Sequence, residues 1–235
     1  MLSEHGRFAL VILALLLSAC GRIKSRSLTG LPAGGLEPQS SPTKMAFSFL
    51  GSPEVLSIDQ WNIPVYPEAE IETETGTHRL RLTGYGTRTV HVLIFDIPVY
   101  VAASYVAQES PLTAKDPLGD VGRTPSKIVQ LTMLRDVTAD QLLQGMKDAF
   151  LKNGIDPNNP RLAPLYDVQD GVKAGATIAF ASFTDEDSLD RVLIRSGDWK
   201  HALRDEGLGR TLWTLWFGIP VDDGGARLMQ DLTGG

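Results

Sequence analysis

Two hydrophobic periods divide this chain. Arg79-Leu80-Arg81-Leu82 alternates basic with apolar residues and reaches Gly84-Tyr85-Gly86-Thr87. Beyond it, Val90–Phe95 and Ile97–Val106 form a long apolar stretch. That order predicts strand, Gly-rich turn, strand, with Pro98 bending the second run. Lys127–Leu134, Ala176–Phe183 and Leu189–Arg195 predict further strands, the last two joined by the acidic loop 184–188. Trp61–Pro67 predicts a short extended segment whose prolines suit a sheet edge. Residues 107–125, with Pro111, Pro117, Gly119 and Gly122, predict loop.

Helical spacing takes over elsewhere. Leu142, Leu143, Met146, Ala149 and Phe150 share one face, Thr138 and Gln141 form a capping-box signature, and Asn153-Gly154 marks the stop. Residues 161–170 predict a short helix, and Trp199–Glu206 and Gly209–Phe217 two more. Strands gathered first and helices after, without regular alternation, predict an α+β fold.

The N-terminus has a different character. Arg7 precedes ten uncharged apolar residues, Phe8–Leu17, too few to cross a bilayer core of about 30 Å. Leu17-Ser18-Ala19-Cys20 closes the segment before the chain's one cysteine. This resembles the lipobox of bacterial lipoproteins, which implies that Cys20 becomes the new N-terminus and carries acyl chains. Several acyl chains hold a protein to a membrane where one holds it marginally. Gly21, in place of the aspartate that retains such lipoproteins at the inner membrane, implies, in a cell with two membranes, an outer-membrane anchor facing the periplasm. Residues 21–54 are rich in Ser, Gly and Pro and predict a flexible tether, leaving 55–235 as one domain.

Lys plus Arg total 22 and Asp plus Glu 28, a net charge of −6. An acidic balance does not favour nucleic acid, nor attraction to anionic lipid, so the anchor must hold the protein to its membrane. Nothing in the chain predicts a metal or a cofactor. The histidines at 5, 78, 91 and 201 have no ligand spacing, and Gly84-x-Gly86 lacks the third glycine of a dinucleotide loop.

Arg88 carries the most specific chemistry. A guanidinium beside so much apolar surface needs an anion, a carbonyl or water. Pointing into a cavity, it suits a guest with an acidic head and an oily body; pointing to solvent, it is an edge-strand charge. Leu82-Thr83-Gly84-Tyr85-Gly86-Thr87-Arg88 with Val99-Tyr100-Val101-Ala102-Ala103-Ser104-Tyr105 resembles the core of the chalcone isomerase-like family, most closely its bacterial branch. Asp136–Asp140, Trp216-Phe217-Gly218 and Pro220-Val221 agree in order and spacing, so the resemblance covers roughly residues 55–232.

That resemblance implies an open-faced sandwich: a large, mostly antiparallel sheet, a helical layer, and a ligand cleft between them. It implies five polar groups in an active isomerase. Arg88 matches the arginine, but Phe95 stands for one threonine, Leu215 for the other, and Ala139 and Met146 for the helix tyrosine and asparagine. Catalysis requires donors aimed at developing charge, and these side chains offer none. The expectation is therefore a non-enzymatic relative. The family's plant fatty-acid binders imply the alternative chemistry: Arg88 with Tyr100, or less readily Tyr105, gripping a carboxylate, and Phe95, Met146 and Leu215 lining a greasier cleft. The expected partner is a small fatty-acid-like acid, in a lipid-anchored envelope protein. An isomerase with a rearranged site and an envelope scaffold that binds protein are the alternatives.

Overall fold

The apolar stretch after Arg79 folds into the two longest strands of the molecule. A computed structural model describes residues 45–166, 171–185 and 188–234. The strands are β1 (Ala46–Leu50), β2 (Glu54–Ile58), β3 (Trp61–Val65), β4 (Glu68–Thr73), β5 (Gly76–Val92), β6 (Phe95–Ala107), β7 (Ser126–Met133), β8 (Thr177–Thr184), β9 (Asp190–Ser196) and β10 (Trp199–Asp205). The helices are α1 (Pro117–Arg123), α2 (Ala139–Lys152), α3 (Leu208–Phe217) and α4 (Asp223–Leu232), with a 3-10 segment at Pro160–Tyr166. Among the described residues, eight strands form one antiparallel sheet in the order β1-β4-β5-β6-β7-β8-β9-β10, and β2 pairs with β3 alone. The α+β sandwich expected of the sequence is the observed architecture.

Strand alternation gives the sheet two apolar faces. Ala102, Val106, Val129, Leu131, Met133, Phe180 and Ile194 turn to one face and meet Phe150 of α2, Leu212 and Trp213 of α3, and Leu228 and Leu232 of α4. Ala103, Tyr105, Ile128, Ala181 and Leu193 turn to the other, where Phe47, Ile71 and Leu80 join them. The sheet curls around this second face until β1 reaches β9, the strand before the last. The Arg195 guanidinium of β9 lies 3.9 Å over the Phe47 ring of β1 and donates to the Phe47 carbonyl at 3.1 Å.

Several expectations need correction. Gly84 and Gly86 are not a turn: they lie in the middle of β5, which runs unbroken to Val92. A Cβ on Gly84 would stand 2.0 Å from the Asp231 carbonyl oxygen, and one on Gly86 2.3 Å from the Asp231 carboxylate. The glycines exist because α4 lies directly on the strand. The real turn is Leu93-Ile94. Pro98 is accommodated within one strand: Arg88 pairs with Tyr100 and Thr89 with Pro98, so Val99 is a bulge residue.

Trp199–Asp205 is a strand, not a helix. It pairs with β9 over seven positions across the Gly197-Asp198 turn, Gly197 taking φ 57. Tertiary pairing outweighs the apolar spacing there, and the Gly-Asp pair was its hairpin signal. The expected loop 107–125 contains α1, which Asp116 caps by accepting from the Gly119 amide, with Pro117 opening the first turn. Ala46–Leu50, placed in the tether by composition, is the sheet's outer strand, so the folded part begins before residue 55. The α2 capping box forms as expected, Thr138 with Gln141.

Candidate functional site

Arg88 and Tyr100 sit directly opposite each other on β5 and β6. Both turn to the helical face, where Tyr100 packs against the core. The Arg88 side chain is 13% exposed. Its Nη2 donates to Asp222 Oδ2 at 2.6 Å, and its Nη1 donates to the Thr89 carbonyl. Asp222 also caps α4: its Oδ1 accepts from the Gly225 amide at 2.8 Å. One carboxylate thus serves a guanidinium and a helix N-terminus together, both favourable to negative charge. Yet the Asp222 side chain is 42% exposed, on a connecting segment. Gly224 permits the close approach, since a Cβ there would lie 2.5 Å from Arg88 Nη1.

Burial holds the Tyr100 phenol above its ordinary range; the Arg88 charge and the Trp216 side chain partly offset this. The phenol is therefore a neutral donor at any physiological pH. Beside it lies a cavity of about 30 Å³, lined by Arg88, Tyr100, Ala149, Thr214, Leu215 and Trp216 and roofed by the segment 218–221. That volume suits a single water. The roof is pinned twice. Asp222 ties one end to Arg88. At the other, Asn153 Oδ1 accepts from the Ile219 amide at 2.7 Å and Asn153 Nδ2 donates to the Ile219 carbonyl at 3.2 Å.

Of the site residues expected from the sequence, Arg88, Tyr100 and Leu215 come together at this cavity. Met146 packs against the same core one turn of α2 from Ala149, outside the lining. Phe95 is elsewhere: it is 63% exposed at the tip of the β5–β6 hairpin, because β5 does not turn at Gly84 and carries the hairpin end well past Arg88. Tyr105 turns to the opposite face. Cys20 lies outside the described residues. Asp222, Asn153, Thr214 and Trp216 were missed. The only sequence sign of Asp222 is an aspartate before Asp-Gly-Gly, an N-cap pattern that does not reveal a partner 134 positions away.

The cavity expected beside Arg88 shrinks to a one-water space; the cation already has a carboxylate, the protein's own. Thr214 is committed as well, its Oγ1 donating to the Thr211 carbonyl at 2.7 Å. This arrangement can hold one acidic group between a guanidinium and a phenol. It offers no set of free donors around a reacting centre. A larger, open depression of about 540 Å³ lies between β2, β5 and α4, lined by Leu56, Ile58, Tyr85, Thr87, Arg227 and Asp231, and includes neither Arg88 nor Tyr100.

The fold is similar to that of a fatty-acid binding protein of Arabidopsis thaliana, at 15% identity and a TM-score of 0.51, over 77% of this chain and 98% of that one. No curated protein matches the chain. The model of the family described as chalcone isomerase-like matches residues 67–228, which include Arg88, Tyr100 and the roof that Asp222 pins. The chain belongs to the chalcone isomerase-like family.

Proposed function

We propose that this domain binds a fatty-acid-like amphiphile without transforming it. The ligand carboxylate takes the place of Asp222 on Arg88, and the Tyr100 phenol donates a second hydrogen bond. The observation that carries this reading is the Arg88–Asp222 pair: a largely buried guanidinium held by a carboxylate that is itself half in water. A guanidinium can grip a free carboxylate with two charge-assisted hydrogen bonds. Displacing Asp222 frees one end of the roof and opens a path between α3 and α4 lined by Leu215, Trp216 and Leu228. Each methylene buried there contributes about 0.8 kcal/mol. The binding activity named for the Arabidopsis relative supports this choice of ligand class. We further propose that Cys20 anchors the protein by acyl chains to the outer membrane, facing the periplasm, with residues 21–44 as spacer.

Mass spectrometry of the purified protein tests the reading. Lipid acids co-purifying with the wild type, and lost in Arg88→Gln, are the expected result. No bound acid, and no uptake of added palmitate, contradicts it. A second reading, an envelope scaffold whose cleft has closed, is favoured by the 30 Å³ volume, and that negative result would select it. An isomerase remains testable on a chalcone: turnover that depends on Arg88 would overturn the non-catalytic assignment.

A further inference from the structure

The β5–β6 hairpin ends in Leu93, Ile94 and Phe95, which are 71%, 83% and 63% exposed. Leu93 adopts φ 58, in the left-handed region. Two-residue hairpin loops favour Gly, Asn and Asp, which take that conformation easily. A bulky apolar side chain there is strained and wet together, and neither condition helps the fold. Directly behind the tip stands a polar collar: His91 Nδ1 lies 3.0 Å from Asp96 Oδ1, and Arg227 Nη2 lies 3.9 Å from Asp96 Oδ2.

The roof of the Arg88 cavity belongs to the same end of the molecule. Gly224 abuts the Thr89 backbone and Asp222 is bonded to Arg88, so the roof lies beside β5, about four residues or ~13 Å short of the tip. Ile219 and Val221 on that roof are exposed, as is Leu151 beside the Asn153 pin. Val55 is the one remaining exposed large apolar side chain among the described residues.

We propose that this end of the domain docks on a lipid bilayer. Leu93, Ile94 and Phe95 enter the acyl boundary, and the His91–Asp96–Arg227 collar stops at the headgroups. The inference rests on the envelope reading, from which the choice of a bilayer follows. An apolar decapeptide and Cys20 precede the domain, and residues 21–44, drawn out, reach up to ~80 Å, enough to bring any face to the surface. A protein of net charge −6 gains nothing from an anionic surface, so the contact must be apolar and salt must not weaken it. Docked this way, the roof opens toward lipid, and an amphiphile reaches Arg88 without crossing water.

The test is the full chain, acylated and reconstituted in vesicles of phosphatidylethanolamine and phosphatidylglycerol, with the fluorophore NBD on Ile94→Cys. Glu109→Cys, an exposed site beyond the far end of β6, is the reference. We expect a blue-shifted emission at 94, quenched by shallow spin-labelled lipid and not weakened by salt, with water-like emission at 109. A chain starting at residue 21, held by an N-terminal histidine tag on nickel-chelating lipid, separates the tip from the anchor. If the full chain carries no acyl chains and does not float with vesicles, but the tagged form inserts at 94, the anchor reading fails and docking stands. Water-like emission at 94 in both forms overturns docking. A blue shift without lipid, at doubled mass, assigns the tip to a second copy and also overturns it.

Discussion

Lys127 shows how a single side chain sets a pH dependence. It is buried on β7, its Nζ donating to the Val121 carbonyl at 3.1 Å and the Thr124 carbonyl at 2.5 Å at the end of α1. Burial pushes its pKa down to about 8, with the Asp190 charge opposing. The unfolded chain keeps its proton to about 10.4. Between these values the unfolded state binds more protons, so stability rises as pH rises from about 8 toward 10. Denaturant titrations at pH 7.5 and 9.5 should show that rise, at most ~1.4 kcal/mol per pH unit, and Lys127→Met should flatten it. An unchanged slope in the variant would assign the dependence to another group. At Arg88 the sequence disclosed the cation and its need for an anion. It could not disclose that Asp222 supplies one, because the pairing exists only once α4 lies on β5.

At the scale of elements, the strand–helix contact is governed by two glycines. The Cβ of Gly84→Ala would meet the backbone of α4, which cannot swing away; that of Gly86→Ala would meet the Asp231 side chain, which can. Gly84→Ala should therefore cost more, about 2–3 kcal/mol, with Gly86→Ala nearer 1 kcal/mol. Equal melting temperatures for the two variants would contradict the packing described. These glycines also explain what was legible. Gly-x-Gly is punctuation when only neighbours in sequence are considered, and Asp231 of α4 lies far off in the sequence. The α2 helix was readable because its cap, stripe and stop are all local. Trp199–Asp205 was misread because its apolar spacing fits either period and β9 decides it.

At the scale of the whole molecule, closure of the curled sheet depends on β1, which composition alone assigned to a tether. Phe47 is buried, stacks against Arg195 and contacts Phe49 edge-on at 5.9 Å. Phe47→Ala should cost ~3–4 kcal/mol, and a chain begun at residue 55 should lose more. A chain begun there that melts with the wild type would return β1 to the tether. The same closure divides the two faces by task. One is sealed around an apolar core; the other holds α4 on strand β5 through small residues, the buried Leu228 and Leu232, and the Arg88–Asp222 ion pair.

The account turns on whether Asp222 stands where a ligand carboxylate would bind. Calorimetric titration of palmitate into wild type, Asp222→Asn and Arg88→Gln tests this most directly. Asn keeps the helix cap while removing the competing charge. The predicted result is saturable binding to the wild type, at least fivefold tighter to Asp222→Asn and lost in Arg88→Gln. Equal affinity in all three proteins, or none in Asp222→Asn, would contradict it.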